Sequence, residues 1–172
     1  TITPDTSIKV FGIPEINGIS TTYFVLLELE NLKGEILSSN FYWLSTKMDS
    51  IDLDKTEWYF TPTKSFADLT GLNDLKSASV RLTSKSVQSA NGEDITHVKI
   101  ENPSNYLAFF LRLHVSQGFG GEEVLPVLWH DNYFSLMPGE IREITATYKH
   151  SDLNGTAPVV EVEGWNIIRS SE

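Results

Sequence analysis

The densest run of chemistry-bearing side chains in this sequence is Trp129, His130, Asp131, Asn132 and Tyr133. Aromatic faces stack on the apolar faces of pyranose rings, and Asp or Asn side chains bond vicinal hydroxyls. The mix therefore suits contact with a carbohydrate. The same residues also suit packing. Asp131 and Asn132 are turn formers, while Trp129, Tyr133 and Phe134 can fill a protein interior or an interface between domains. Packing weighs above direct sugar contact. A second aromatic run, Trp58, Tyr59 and Phe60, cannot be buried whole in one core by strand alternation. Part of it must face a partner surface. Trp58 and Tyr59 therefore join the first five residues as candidates for sugar or interdomain contact.

Other reactive arrangements are weaker. Glu122 and Glu123 are neighbours, but an extended chain points them to opposite faces. A carboxyl pair that cleaves a glycosidic bond with retention needs a separation of about 5 Å, so these acids read as a solvated surface and no catalytic residue is assigned. His97, His114, His130 and His150 lack the spacing that zinc favours; His97 and His114 read as outward residues facing each other across neighbouring strands. Asp49, Asp52 and Asp54 alternate without the glycine turn of an EF-hand loop and read as a solvated loop. No metal site follows, and no cofactor is expected. No Gly-x-Ser-x-Gly elbow exists. Gly118-Phe119-Gly120-Gly121 follows a strand without opening a helix, so it is a flexible loop approaching another domain rather than a phosphate cradle. Asn154-Gly155-Thr156 matches the N-glycosylation sequon, and in a bacterial protein it means only a hairpin turn.

Composition narrows the partners. The 172 residues include 13 basic and 23 acidic ones, for a net charge of −10. That balance excludes nucleic acid and anionic membrane surfaces, which need clustered Lys and Arg. Zero cysteines exclude disulfides, thiolate metal sites and cysteine nucleophiles. No run of 18 apolar residues exists, so no helix is expected to span a membrane. The chain opens on Thr1 without a basic segment followed by an apolar one, which predicts a mature form or an excised piece of a longer protein.

The elements that would position these residues are strands. Residues 22–30 place Tyr23, Val25, Leu27 and Leu29 on one face and Phe24 and Leu26 on the other. Residues 36–45 carry Phe41 and Trp43, and 79–86 alternate weakly. After the Asn91-Gly92 turn, 95–101 alternates with Thr96, Val98 and Ile100 on one side. In 108–116, Phe109, Leu111, Leu113 and Val115 point inward and Arg112 and His114 outward. Residues 140–148 and 158–165 alternate as well, with Asn154-Gly155 as the hairpin turn between them. Residues 65–75 have room for a turn or two of helix, capped by Ser65 and broken at Gly71. The fold class expected is all-β: an immunoglobulin-like antiparallel β-sandwich of seven to nine strands without a disulfide. One domain over residues 1–172, with its core over about 8–166, fits the length. Trp43 takes the place where such sandwiches often bury a tryptophan. The connection over 46–75 is long, and long loops usually carry function or pack on something else.

The segment 123–140, EVLPVLWHDNYFSLMPGE, resembles the C-terminal immunoglobulin-like domain of glycoside hydrolase family 2 enzymes of the exo-β-D-glucosaminidase and β-mannosidase type. Phe41-Tyr42-Trp43-Leu44, Trp58-Tyr59-Phe60-Thr61-Pro62, Ala67-Asp68-Leu69-Thr70-Gly71-Leu72, the run 107–113 and Gly164-Trp165-Asn166 resemble further parts of it in order. The resemblance covers residues 10–166 and is nearer to the glucosaminidases. It implies a parent enzyme with a (β/α)₈ catalytic barrel and several β domains, of which this chain is one. A barrel needs about 250 residues, and the Asn-Glu dipeptide of the family's acid/base is absent here. The resemblance thus implies a non-catalytic accessory domain that packs on the barrel and lines the rim of the sugar site. Its implied partners are the barrel, neighbouring β domains and carbohydrate, in a bacterial periplasmic or secreted setting. The alternatives are a free-standing carbohydrate-binding module and a protein-interaction module such as an adhesion domain.

Overall fold

The computed structural model describes residues 3–168. They form eleven strands: β1 (Thr22–Glu30), β2 (Ile36–Ser45), β3 (Ser50–Ile51), β4 (Thr63–Ser65), β5 (Arg81–Gln88), β6 (Glu93–Glu101), β7 (Ala108–Gln117), β8 (Leu128–Trp129), β9 (Phe134–Leu136), β10 (Ile141–Lys149) and β11 (Pro158–Glu163). Short 3₁₀ turns cover Leu53–Lys55, Thr70–Asp74 and His150–Leu153. Among the described residues no helix is long and apolar enough to cross a membrane. The chain divides into two compact units, Thr1–Asn73 and Asp74–Glu172.

The second unit is the sandwich. One sheet has the order β5-β6-β10-β8 and the other β11-β7-β9, the four-plus-three division of an immunoglobulin constant-type fold. All these pairings are antiparallel. Alternation predicts the inner faces well. Thr96, Val98 and Ile100 of β6, Leu111, Leu113 and Val115 of β7, and Ile144, Ala146 and Tyr148 of β10 are buried. The buried hydroxyls are paired: Thr96 Oγ1 lies 2.7 Å from both Ser86 Oγ and Tyr148 Oη, which removes the cost of stranding them in an apolar layer.

Two loop readings change. β10 and β11 lie in different sheets, so Asn154-Gly155 ends a crossover rather than a hairpin; Asn154 caps the preceding 3₁₀ turn in the left-handed region at φ 51°. The glycine run after β7 is tightly specified. A Cβ on Gly121 would sit 2.1 Å from the Gln117 carbonyl oxygen, and Gly121 N donates to Gly118 O. The turn presents Phe119 at its tip, 77% exposed. His97 and His114 do not face each other: His97 pairs with Lys85 and Thr145 in one sheet, and His114 with Glu161 in the other.

The first unit is built differently. β1 and β2 form a two-stranded antiparallel hairpin and β3 and β4 a shorter one. Trp43 is not a core residue: it lies on this hairpin, outside the sandwich sheets, and is 38% exposed. Two aspartates of the long connection find partners within it. Asp49 Oδ1 accepts from Ala67 N at 2.8 Å, and Asp52 pairs with Lys55 at 3.2 Å. The short turn starts at Thr70 rather than Ser65, because Asp68 Oδ1 accepts from both Thr70 N and Thr70 Oγ1. Those Thr70 bonds first, then Lys47, hold the Asp68 pKa below its ordinary 3.8. A depressed carboxylate pKa stabilises the fold above 3.8, and the contribution is lost as pH falls through the lower folded value. An NMR titration of the Thr70 amide should therefore show a midpoint below 3.8, and Asp68→Asn should abolish that inflection.

Candidate functional site

The run Trp129 to Tyr133 is dispersed by the fold. β8 is an edge strand on β10, with Trp129 opposite Ala146. That register turns the indole inward, where it packs against both core clusters. His130 points the other way, into a shallow groove on the outer sheet face with Lys85, His97, Lys99 and Glu143. Asp131 Oδ2 accepts from Arg142 Nη1 at 3.1 Å. Asn132 acts on the backbone: its Oδ1 accepts from Leu113 N at 2.8 Å and its Nδ2 donates to Leu113 O at 2.9 Å. The amide thus stands in for a strand partner of β7. Its Oδ1 also accepts from Tyr133 N at 3.0 Å.

Tyr133 is the member that turns outward. It is 54% exposed, and its ring lies 5.6 Å from that of Phe110, tilted by 49°. Both residues hold left-handed backbone, φ 59° for Tyr133 and 54° for Phe110. Bulky residues rarely adopt that region, and holding one there costs on the order of 1 kcal/mol. The cause at Phe110 is a β-bulge. β7 advances three residues, from Ala108 to Leu111, while β9 advances two, from Leu136 to Phe134. The extra residue re-aims the ring toward solvent, and Phe110 N donates to Ser135 Oγ. Phe109 remains buried and meets Trp165 edge-on at 6.4 Å. Asn166 locks this corner, accepting from Phe109 N at 2.9 Å and donating to Leu107 O and Lys76 O at 2.7 Å each. Phe110 and Tyr133 thus make a small aromatic platform, while Trp165, against Phe109, is 56% exposed.

The platform's charged surroundings are paired. Arg112 donates to Glu163 and Glu123, which raise the arginine pKa above its ordinary value in that order. Arg142 bridges Asp131 and Glu140 and covers the Phe134 ring at 4.6 Å. Glu161 accepts from Ser116 Oγ and lies 3.6 Å from His114. No group of three or more acidic or histidine side chains fit to hold a metal occurs among the described residues. In the first unit, Trp58 and Tyr59 meet edge to face at 4.8 Å and 75° and are 94% and 72% exposed.

Sequence reasoning pointed to Tyr133 but missed Phe110 and the two asparagine clamps. Phe110 looks like one more outward residue of an alternating strand, and only the bulge shows what it does. Each clamp joins positions far apart in the chain.

The exo-β-D-glucosaminidase Ig-fold domain family matches residues 58–167. The exo-β-D-glucosaminidase of Amycolatopsis orientalis is 42% identical over 90% of this chain but only 15% of its own length. That of Hypocrea jecorina is 34% identical over 89% of this chain and 17% of its own. The mannosylglycoprotein endo-β-mannosidase of Lilium longiflorum is 27% identical over 88% of this chain and 14% of its own. The crystal structure of the Amycolatopsis orientalis exo-chitosanase CsxA superposes with a TM-score of 0.84, at 42% identity, over 90% of this chain and 18% of that one. The chain thus spans about a sixth of the relatives it matches. With the seven-stranded sandwich and more than half of the chain matched, the chain belongs to the exo-β-D-glucosaminidase Ig-fold domain family.

Proposed function

We propose that the chain is a non-catalytic accessory part of a family 2 glycoside hydrolase acting on terminal β-linked glucosamine. It packs on the catalytic barrel and neighbouring β domains and brings the Phe110–Tyr133 platform to the rim of the sugar site. The observation that carries this reading is the pair itself: two aromatic residues in left-handed backbone, their amides bonded to Ser135 and Asn132, with the Tyr133 ring exposed. A sequence selected for stability alone would place glycine or asparagine there. Trp58 and Tyr59 supply further apolar surface of the kind that marks interaction sites. The carboxylates near the platform are already committed to ion pairs, which suits a positioning role better than acid/base chemistry. A net charge of −10 complements a polymer of protonated glucosamine. Incubating the purified chain with p-nitrophenyl β-D-glucosaminide tests the non-catalytic part. The expected result is release of p-nitrophenol at the buffer rate; sustained turnover proportional to protein concentration would overturn it.

A further inference from the structure

Phe110 lies on the β11-β7-β9 sheet; the outer face of the β5-β6-β10-β8 sheet carries a different kind of surface. Register sets its side chains in rows across the strands. One row is Lys85, His97 and Thr145. His130, just after β8, joins that row by donating its backbone N–H to Thr145 O at 2.9 Å. The row on one side is Thr83, Lys99 and Glu143. On the other side Val87, Ile95, Thr147 and Leu128 form a largely apolar row, with Val87, Ile95 and Leu128 all exposed. The rows around His97 line a groove of about 620 Å³, a volume typical of ligand sites.

The charges of the groove define its occupant. In a chain of net charge −10, two lysines and two imidazoles face one carboxylate, Glu143. Elsewhere in this unit Arg81, Arg112 and Arg142 all hold carboxylates. No ion pair or side-chain hydrogen bond engages Lys85, His97, Lys99 or His130 among the described residues. Lys85 directly opposes His97, an arrangement that repels once the imidazole is charged; an anion set between them removes that repulsion. No aromatic ring lines the groove, so a pyranose finds nothing to stack on. An inorganic anion would leave the apolar row bare. A polypeptide that carries carboxylates beside apolar side chains satisfies both rows. We propose that this face docks an extended acidic polypeptide segment. Its Asp or Glu side chains take Lys85, His97, Lys99 and His130, and its apolar side chains cover Val87, Ile95 and Leu128. The proposal does not depend on the role assigned to Phe110 and Tyr133, which hold no position in the groove.

Titrating the chain with the peptide acetyl-Glu-Ser-Glu-Leu-Glu-Ser-Glu-amide, followed by NMR of the four histidine side chains, tests this. The imidazole signals of His97 and His130 should shift along one saturable curve, while those of His114 and His150, outside the groove, stay in place. The expected dissociation constant is about 300 μM or tighter at about 20 mM salt, and at least about tenfold weaker at about 500 mM. Combined Lys85→Gln and Lys99→Gln substitutions should weaken binding at least about tenfold and leave the urea midpoint within about 0.2 M. If that variant fails to fold, the salt dependence and the all-glutamine counterpart of the peptide decide the matter in the intact chain. No shift at about 5 mM peptide would overturn the proposal. So would equal binding of the glutamine peptide, or binding insensitive to salt or to the folded double variant. Inorganic phosphate or a sulfated oligosaccharide that shifts His97 and His130 at lower concentration than the acidic peptide would overturn the assignment to a polypeptide.

Discussion

Replacing Asn102 with alanine is expected to destabilise the sandwich by about 3–5 kcal/mol, the largest effect of any single polar substitution in the chain. Asn102 is fully buried. Its Nδ2 donates to Tyr106 O at 2.8 Å and Leu136 O at 2.9 Å. Its Oδ1 accepts from Ser104 N at 3.1 Å and Ser104 Oγ at 2.6 Å. The backbone joins in, since Asn102 N donates to Glu140 O and Gly139 N to Asn102 O. One side chain thus fastens the end of β6 to the β6–β7 loop and to β9. Truncation leaves the Leu136 carbonyl buried without its donor, at about 1–3 kcal/mol, and unties the loop as well. Asn102→Asp keeps the shape but turns both donors into acceptors facing carbonyls, so it should cost at least as much. Urea unfolding at neutral pH would show the loss, and a change below about 1 kcal/mol in both variants would contradict the clamp.

The second large effect is expected at Leu111. It is fully buried among Ile100, Leu113, Leu136 and Ile144, immediately after the bulge at Phe110. Leu111→Ala should cost about 3 kcal/mol, from lost transfer energy and the cavity left behind. Leu111→Met should cost less than about 1.5 kcal/mol, because it nearly conserves volume. The position adjoins Phe110 in the chain, and Leu111 Cδ2 lies only 2.8 Å from where a Cβ on Gly164 would sit. Loosening this contact should broaden the NMR signals of the Phe110 and Tyr133 rings in the alanine variant and not in the methionine one. Equal stability of the two variants would show that the corner is not close-packed.

These residues also show what alternation reveals and what it hides. β6, β7 and β10 are legible because each runs for at least nine residues with one face buried. β8 and β9 are two and three residues long, too short for a period to show. β1 and β2 read correctly as strands, but their apolar residues suggested a place in the same core; a pattern of side chains says that a face must be covered and does not say by what. Trp43 was misplaced for that reason. The outward aim of Phe110 depends on a bulge in β7, and the clamps of Asn102, Asn132 and Asn166 depend on partners up to 90 residues away. No local pattern carries that information.

The account stands or falls on whether this chain is made to sit against a catalytic body. Calorimetric titration of the chain into a family 2 glucosaminidase from which the corresponding segment has been removed measures this directly. Binding at about 1 μM or tighter is predicted, weakened at least about tenfold by combined Trp58→Ser and Tyr133→Ser substitutions. No heat of association at about 100 μM of each component, with both folded, would contradict it.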